Sequence, residues 1–226
     1  MREVRPRGAL VSPLALREAV VRTGQGLAAR GLVAGQDGNV SVRVADDRLL
    51  VTPAGFRKGE LSPDDLCEVA PDGTWLAGAH PPSSELGLHL AWYAVRADVH
   101  AVVHAHPPVA TGFAAAGEGI ADDVLPEVAV ALGPVPVVPY ATPGTAAVGA
   151  GVRPFAARHD AVLLANHGAV TVGPTLRVAH DRMEHLEQAA RILLVARLLG
   201  GAVTLDAAAL RLLRERRTGP ADGDRA

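Results

Sequence analysis

The period of the apolar positions changes along the chain, and each change marks an element. From Leu14 to Arg30, residues Leu16, Ala19, Val20, Leu27 and Ala28 recur near helical spacing, and Gly31 supplies a C-terminal stop. Val40–Val44 then alternates apolar and polar side chains, Asp46-Asp47 supply a turn and Arg48–Thr52 returns, which predicts a hairpin closed by Pro53-Ala54-Gly55. Leu61–Ala70, built around Ser62-Pro63-Asp64-Asp65, reads as a short helix and strand, followed by a turn at Pro71-Asp72-Gly73. A helix capped by Ser83 or Ser84, with Glu85 in its first turn, runs to about Arg96.

Ala101–His106 is a mostly apolar strand closed by Pro107-Pro108, and Thr111–Ala116 predicts a further helix. Val135–Tyr140 reads as extended, but the prolines at 134, 136 and 139 cannot donate to a ladder, so it belongs at an edge or in a loop beside the sheet. Thr145–Ala157 is expected to be helical, Ala161–Ala165 a buried strand and Ala169–Val172 another. From Thr175, residues Leu176, Ala179, Met183, Leu186, Ala190 and Leu193 step by three and four while Arg177, Asp181, Glu184, Glu187 and Arg191 fall elsewhere, which is one long amphipathic helix. Strands interleaved with helices give an α/β class, and the hairpins make the sheet mixed and largely antiparallel, with helices flanking it. The organisation read from this is an N-terminal extension (residues 1–13), one domain (14–205) and a C-terminal stretch (206–226) that ends the last helix and becomes a disordered tail from about Thr218.

Composition narrows the class. Hydrophobic residues make up 49% and charged residues 20% of the 226, ordinary for a soluble globule and unlike a collagen, a disordered chain or a disulfide scaffold. A net charge of −2 favours neither nucleic acid nor a membrane surface as partner. No stretch is apolar enough to span a bilayer, and Pro13 with Arg17-Glu18 breaks the N-terminal apolar run without a cleavage pattern, so a cytoplasmic protein is expected. A single cysteine, Cys67, excludes an internal disulfide and a thiolate-rich zinc finger. Among 22 basic residues Lys58 is the only lysine, and the polar stretch Phe56–Glu60 does not read as the desolvating setting that imine catalysis needs.

The chemistry concentrates in a few positions. His104 and His106 are two apart on a strand, so both side chains leave one face about 6.5–7 Å apart at Cα. Two imidazoles can close that span around one ion at Zn–N distances of about 2.0–2.1 Å, although two histidines on an exposed sheet face would have the same spacing. His167 follows a buried strand and precedes Gly168, where a sharp turn can point its ring into a cleft. Three neutral histidines would leave a divalent cation open positions, the catalytic kind of site. Glu85 at a helix start could join them or serve only as a capping-region acid. Ser83-Ser84 beside it, Gly38-Asn39-Val40-Ser41, and the turn Thr52–Gly55 each offer hydroxyls or backbone N–H groups suited to an anion. A metal site next to such groups points to a small phosphorylated substrate. His80, His89, His100, His159, His180 and His185 read as surface or packing residues.

Taken in chain order, Gly38-Asn39-Val40-Ser41, Thr52-Pro53-Ala54-Gly55, Pro82-Ser83-Ser84-Glu85, Ala101–His106, Val138–Thr142 and Asn166-His167-Gly168 resemble the class II aldolase/adducin family, closest to its L-fuculose-phosphate aldolase members, over roughly residues 14–200. The resemblance implies a homotetramer with sites between subunits and a Zn2+ ion, or another divalent cation, held by His104, His106 and His167. It also implies Glu85 as the catalytic acid/base and Asn39, Gly55, Ser83 and Ser84 around the substrate phosphate. The activity it implies is cleavage of a phosphorylated ketose to dihydroxyacetone phosphate and a small aldehyde. Decarboxylation of a 3-oxo sugar-acid phosphate, or 4-epimerisation of a sugar phosphate, on the same metal is the alternative. An adducin-like interaction module is a further one. Two departures stand out: Ala54 replaces a frequent serine or threonine, and the only tyrosines, Tyr93 and Tyr140, do not fall where the aldolases place theirs, leaving Glu127 as a substitute proton donor.

Overall fold

A computed structural model describes residue 10 and residues 12–218 of the chain. The expectation of a disordered tail, and most of the N-terminal extension, lie outside the described residues. Helix α1 (Leu14–Ala29) is followed by the hairpin β1 (Asn39–Ala45) and β2 (Arg48–Val51), a 3-10 turn (Lys58–Glu60), and a second hairpin of β3 (Cys67–Val69) and β4 (Trp75–Ala77). Then come α2 (Leu86–Tyr93), β5 (Ala101–Ala105), α3 (Pro108–Ala115), α4 (Pro126–Ala131) and the edge strand β6 (Val137–Val138). Helix α5 (Ala146–Ala156), strands β7 (Ala161–Leu164) and β8 (Gly168–Gly173), and helices α6 (Leu176–Leu198) and α7 (Ala207–Thr218) complete it. The strands form one eight-stranded sheet in the order β4-β3-β2-β1-β5-β8-β7-β6, antiparallel throughout except for the β6–β7 pair.

Strand alternation divides the core between the two faces of this sheet. Val40, Val42, Ala101, Val103 and Ala105 pack with α1, α3, α4 and α6. Val102, Val162, Val170 and Val172 pack on the other face with α2 and α5. The α6 stripe of Ala179, Met183, Leu186 and Ala190 is fully buried, as its spacing predicts. Each large side chain in it contributes about 1.5–3 kcal/mol of burial. Because successive strand residues face opposite ways, Asn39, Ser41 and His104 lie on the α2/α5 face, and this face carries the site.

Several elements differ from the sequence-based expectation for local reasons. Helix α3 starts at Pro108 instead of Thr111, since a proline without an N–H suits the first helical position. The carboxylate of Glu187 accepts from the amides of Val109 (3.0 Å) and Ala110 (2.9 Å), which satisfies that helix start and anchors the chain just beyond His106. Glu187, expected on the solvent face of the last helix, is therefore buried. Between Leu61 and Leu66 there is a turn and no helix, because Asp65 accepts from both the amide and the hydroxyl of Ser62 at 2.7 Å. Helix α4 is too short to show a period. Helix α6 closes at Leu198 before the positive-φ pair Gly200-Gly201, and α7 then docks through Arg214 on Asp122 at 2.7 and 2.9 Å. No helix among the described residues is long and apolar enough to cross a membrane.

Candidate functional site

Strand β5 delivers His104 from the centre of the sheet, paired across to Asn39 on β1 and Val170 on β8. His106 follows one step beyond the strand end on the same side. The β7–β8 turn delivers His167. Asn166 before it holds φ at 56°, the only positive value among described non-glycine residues and one that asparagine tolerates well. Gly168 after it cannot carry a side chain, since a Cβ there would meet the Ala105 carbonyl and His106 Cδ2 at 2.6 Å each. The two stretches of chain therefore converge, and one ligating atom from each of the three imidazoles lies within 4.8 Å of the others.

The ring nitrogens are oriented before any ion arrives. His104 Nδ1 donates to the Ala169 carbonyl at 2.9 Å, and His106 Nδ1 faces Asp37 Oδ2 at 3.3 Å. Neutral rings so tied present Nε2 lone pairs inward, and His104 and His106 bring theirs to 3.1 Å of one another. Glu85 adds its carboxylate to the same centre, with Oε2 at 3.3 Å from His104 Nε2 and Oε1 at 3.2 Å from His167 Nε2. Converging lone pairs and a carboxylate repel unless a positive charge sits among them, so the donor set fits a divalent cation held by His104, His106 and His167. Burial, followed by the charges of His104 and His167, pushes His106 down to about 4, which keeps that ring neutral for ligation. Burial raises Glu85, but N–H donation and positive charge at His104 and His167 when those rings carry the extra proton outweigh it and hold the carboxyl well below the usual range; a cation among neutral rings would play the same part.

A cleft of about 320 Å³ opens beside the histidines, lined by Asp37, Asn39, Gly55, Lys58, Ser83, Ser84 and Glu85, with His106 and His167 at one end. All four residues assigned by resemblance to a phosphate therefore reach this cleft. Details differ from the sequence-based reading. Helix α2 begins at Leu86, so Glu85 is its N-cap, and the Ser83 hydroxyl accepts from the Glu85 amide at 3.3 Å instead of capping the helix further in. The Ala54 amide donates to the Pro81 carbonyl at 3.0 Å, which removes it from the anion-binding turn. Asn39 Nδ2 donates to Glu85 Oε2 at 2.8 Å, so one of its two N–H groups already serves the carboxylate.

Lys58 corrects the reading of its stretch as polar and open. It is 2% exposed, its ammonium donates to the carbonyls of Gln36 (2.9 Å) and Phe56 (2.5 Å), and it is the one lysine or arginine lining the cleft. Burial lowers its pKa, against the pull of Asp37 and Glu85. The apolar surroundings come from α1 and Ala28, distant in sequence and invisible in the local stretch. Asp37 and His89 are the other residues that sequence reasoning missed. Asp37 lies in an unpatterned loop, and His89, read as a surface or packing residue, is fully buried and hydrogen-bonded through Nδ1 to the Ser41 hydroxyl and through Nε2 to Asn39 Oδ1. Tyr93 is buried against Ser41, while Tyr140 and Glu127 are exposed and outside the cleft lining.

Fold and site together define a three-layer α/β protein with a three-histidine centre at the mouth of an anion-adapted cleft. A family model for the class II aldolase and adducin N-terminal domain matches residues 18–194. A 3-oxo-tetronate 4-phosphate decarboxylase of Pectobacterium atrosepticum is 38% identical over 79% of this chain and 84% of its own length. A 5-deoxy-D-ribulose 1-phosphate aldolase of Bacillus thuringiensis is 34% identical over 78% and 83%. Among solved structures, an L-fuculose 1-phosphate aldolase superposes with a TM-score of 0.86 at 30% identity, covering 92% of this chain and 99% of that one. The chain belongs to the class II aldolase family and is one of its enzymes.

Proposed function

We propose that this enzyme is a metal-dependent lyase that decarboxylates a 3-oxo sugar-acid phosphate. The observation that carries the reading is the number of proton carriers in the cleft. A retro-aldol cleavage moves two protons: one leaves the hydroxyl that becomes the aldehyde, and one reaches the carbanionic carbon. Loss of CO2 from a 3-oxo acid moves only one, because the carboxylate departs without a proton and only the carbon it leaves needs one. Asp37 faces His106 and Lys58 donates to two carbonyls, so Glu85 is the lining side chain left to carry a proton. The 38% identity to a decarboxylase supports the same choice.

His104, His106 and His167 would hold the cation, which we propose to be Zn2+, and it would supply Lewis-acid charge to the substrate's carbonyl. Glu85, ionised at rest, takes up a proton from water in the cleft and passes it to the carbon that loses CO2. Its position is fixed by Asn39, whose Nδ2 donates to Oε2 at 2.8 Å. Ser83, Ser84, the Gly55 turn and the free N–H of Asn39 receive the phosphate, with Lys58 as the buried countercharge beneath them. Cytoplasmic placement agrees with a phosphorylated metabolite as substrate. The apolar end of α6, where Leu198 and Leu199 are 80% and 83% exposed, supports a homo-oligomer, which we propose as a homotetramer.

Aldol cleavage of a ketose 1-phosphate is the second reading, favoured by the TM-score of 0.86 to an L-fuculose 1-phosphate aldolase. Purified, metal-loaded enzyme should be offered 3-oxo acid phosphates and ketose 1-phosphates, with and without chelator, while CO2 and aldehyde are measured separately. Chelator-sensitive CO2 release with little aldehyde is the expected result. Aldehyde release without CO2 would reverse the order of the two readings.

A further inference from the structure

Beneath the cleft, five side chains from β1 and the start and body of α2 form a continuous hydrogen-bonded chain, of which Ser41, His89 and Tyr93 have no part in the proposed reaction. Asn39 Nδ2 donates to Glu85 Oε2 at 2.8 Å, and Asn39 Oδ1 meets His89 Nε2. His89 Nδ1 lies 2.6 Å from Ser41 Oγ, and Ser41 Oγ lies 2.9 Å from the Tyr93 hydroxyl. Asn39, Ser41, His89 and Tyr93 are all buried. The strand supplies Asn39 and Ser41 two residues apart, and the helix supplies Glu85, His89 and Tyr93 at intervals of four, so the two periods bring matching rows together.

The direction of every hydrogen bond follows from what each atom can do. An amide oxygen only accepts, so His89 must donate to Asn39 through Nε2. Burial pushes His89 down to about 3, so the ring is neutral and has one proton, which leaves Nδ1 as an acceptor for the Ser41 hydroxyl. With that hydroxyl proton committed, Tyr93 donates to Ser41 Oγ. The reverse orientation of Asn39 would set its oxygen against the Glu85 carboxylate and its NH2 group against the imidazole N–H. The charged or titratable groups facing this row are His104 and Glu85 for His89, Arg43 for Tyr93, and His104, His167 and Lys58 for Glu85.

We propose that His89 is a positioning residue that locks the Asn39 carboxamide so that it donates to Glu85 Oε2 and fixes the carboxylate beside the three imidazoles. Oε2 is held by Asn39 at 2.8 Å, and Oε1 faces His167 Nε2 at 3.2 Å. This assignment rests on the reading of Glu85 as the proton carrier. It makes Asn39 a two-sided residue, with one N–H on the carboxylate and the other toward the cleft.

The test uses metal-loaded enzyme. Histidine 15N spectra, with His89→Gln to assign the ring, are expected to show His89 as the neutral Nε2–H tautomer from about pH 5 to about pH 8, across the range where an ordinary histidine titrates. An Nδ1–H tautomer or a protonated ring overturns the proposal. His89→Leu should lower kcat about 10- to 100-fold with KM and bound metal unchanged. His89→Gln, whose terminal amide can donate from nearly the same point, should recover most of the loss. Undiminished kcat in His89→Leu, or equal losses in both variants, sinks it, and if His89→Leu fails to fold then the Gln variant and the spectra decide. Glu85→Gln runs beside them: retained activity there removes Glu85 as proton carrier, whereas an inactive Glu85→Gln with a fully active His89→Leu defeats only the positioning role.

Discussion

The two ends of the cleft are built differently. At the histidine end each of the three imidazoles hangs from a paired strand or its immediate turn, and the rings are held by the Ala169 carbonyl, Asp37 and Glu85. At the anion end the groups come from loops: Gly55 and Ser84 are exposed, and the Ala54 amide is already engaged with Pro81. The deeply buried groups there are Lys58 and Asn39, the second of which opens strand β1. The difference separates two tasks. A reactive centre needs fixed lone pairs and a fixed carboxylate, while a phosphate can be met by a few amides and hydroxyls that adjust, provided one countercharge stays in place.

Removing a strand-held ligand should therefore have the largest effect. In His106→Ala one of three imidazoles is lost, and the remaining two cannot satisfy a tetrahedral ion. Metal content measured after dialysis should fall to background and turnover with it. Retention of stoichiometric metal and normal turnover would show that the centre does not depend on His106. Glu85→Gln comes next: it keeps the side-chain shape and the Asn39 contact but cannot release a proton. Turnover should drop about 10²- to 10⁴-fold with metal retained, as general acid/base removal commonly gives. Together the two variants divide the histidine end into holding the ion and moving the proton.

The same contrast explains what could be read from the amino-acid order. His104 and His106 were legible because strand period two places both rings on one side, and His167 because Asn166 and Gly168 mark a tight turn. Most of the sheet was legible through its alternation and its proline-marked edge at β6, but β4, three residues long, was too short to show a period. Helix α4, with six residues, has too few turns to show a period, and the separation of α7 from α6 depends on Gly200-Gly201 inside an otherwise helical pattern. Lys58 and His89 were misread for one shared reason. Their surroundings come from α1 and β1, dozens of residues away, and a local window cannot register burial supplied from a distance. Asp37 has no patterned neighbour at all, and only its approach to His106 reveals it.

Lys58 tests whether the anion end has any rigid part. In Lys58→Met the stem is retained and the charge removed, so packing against α1 should survive. Loss of one charge-assisted contact is worth about 1.5–3 kcal/mol, which converts to roughly a 10- to 100-fold rise in KM for a phosphorylated substrate. Because the ammonium donates to the Gln36 and Phe56 carbonyls and makes no hydrogen bond to Glu85, kcat should change little. A fall in kcat at constant KM would instead place Lys58 among the groups acting on the reacting atoms, and the cleft would then have two proton carriers, weakening the case for decarboxylation.

The smallest effect is expected at Ala54. A serine there adds a hydroxyl at the cleft wall, where its backbone amide is unavailable because Pro81 accepts it at 3.0 Å. If the anion end adjusts as its exposed loops imply, the new hydroxyl gains one neutral hydrogen bond to the phosphate, worth about 0.5–1.5 kcal/mol, and KM should fall by roughly two- to tenfold with kcat unchanged. The comparison is sharpest against a substrate analogue without the phosphate, for which Ala54→Ser should give no gain. An equal gain for both substrates would mean that the hydroxyl meets the sugar portion, and that the phosphate sits further toward Ser83 and Ser84 than the Gly55 turn. Either result shows which wall of the cleft meets the phosphate, and so tests the proposal that the substrate's carbonyl lies at the histidine end.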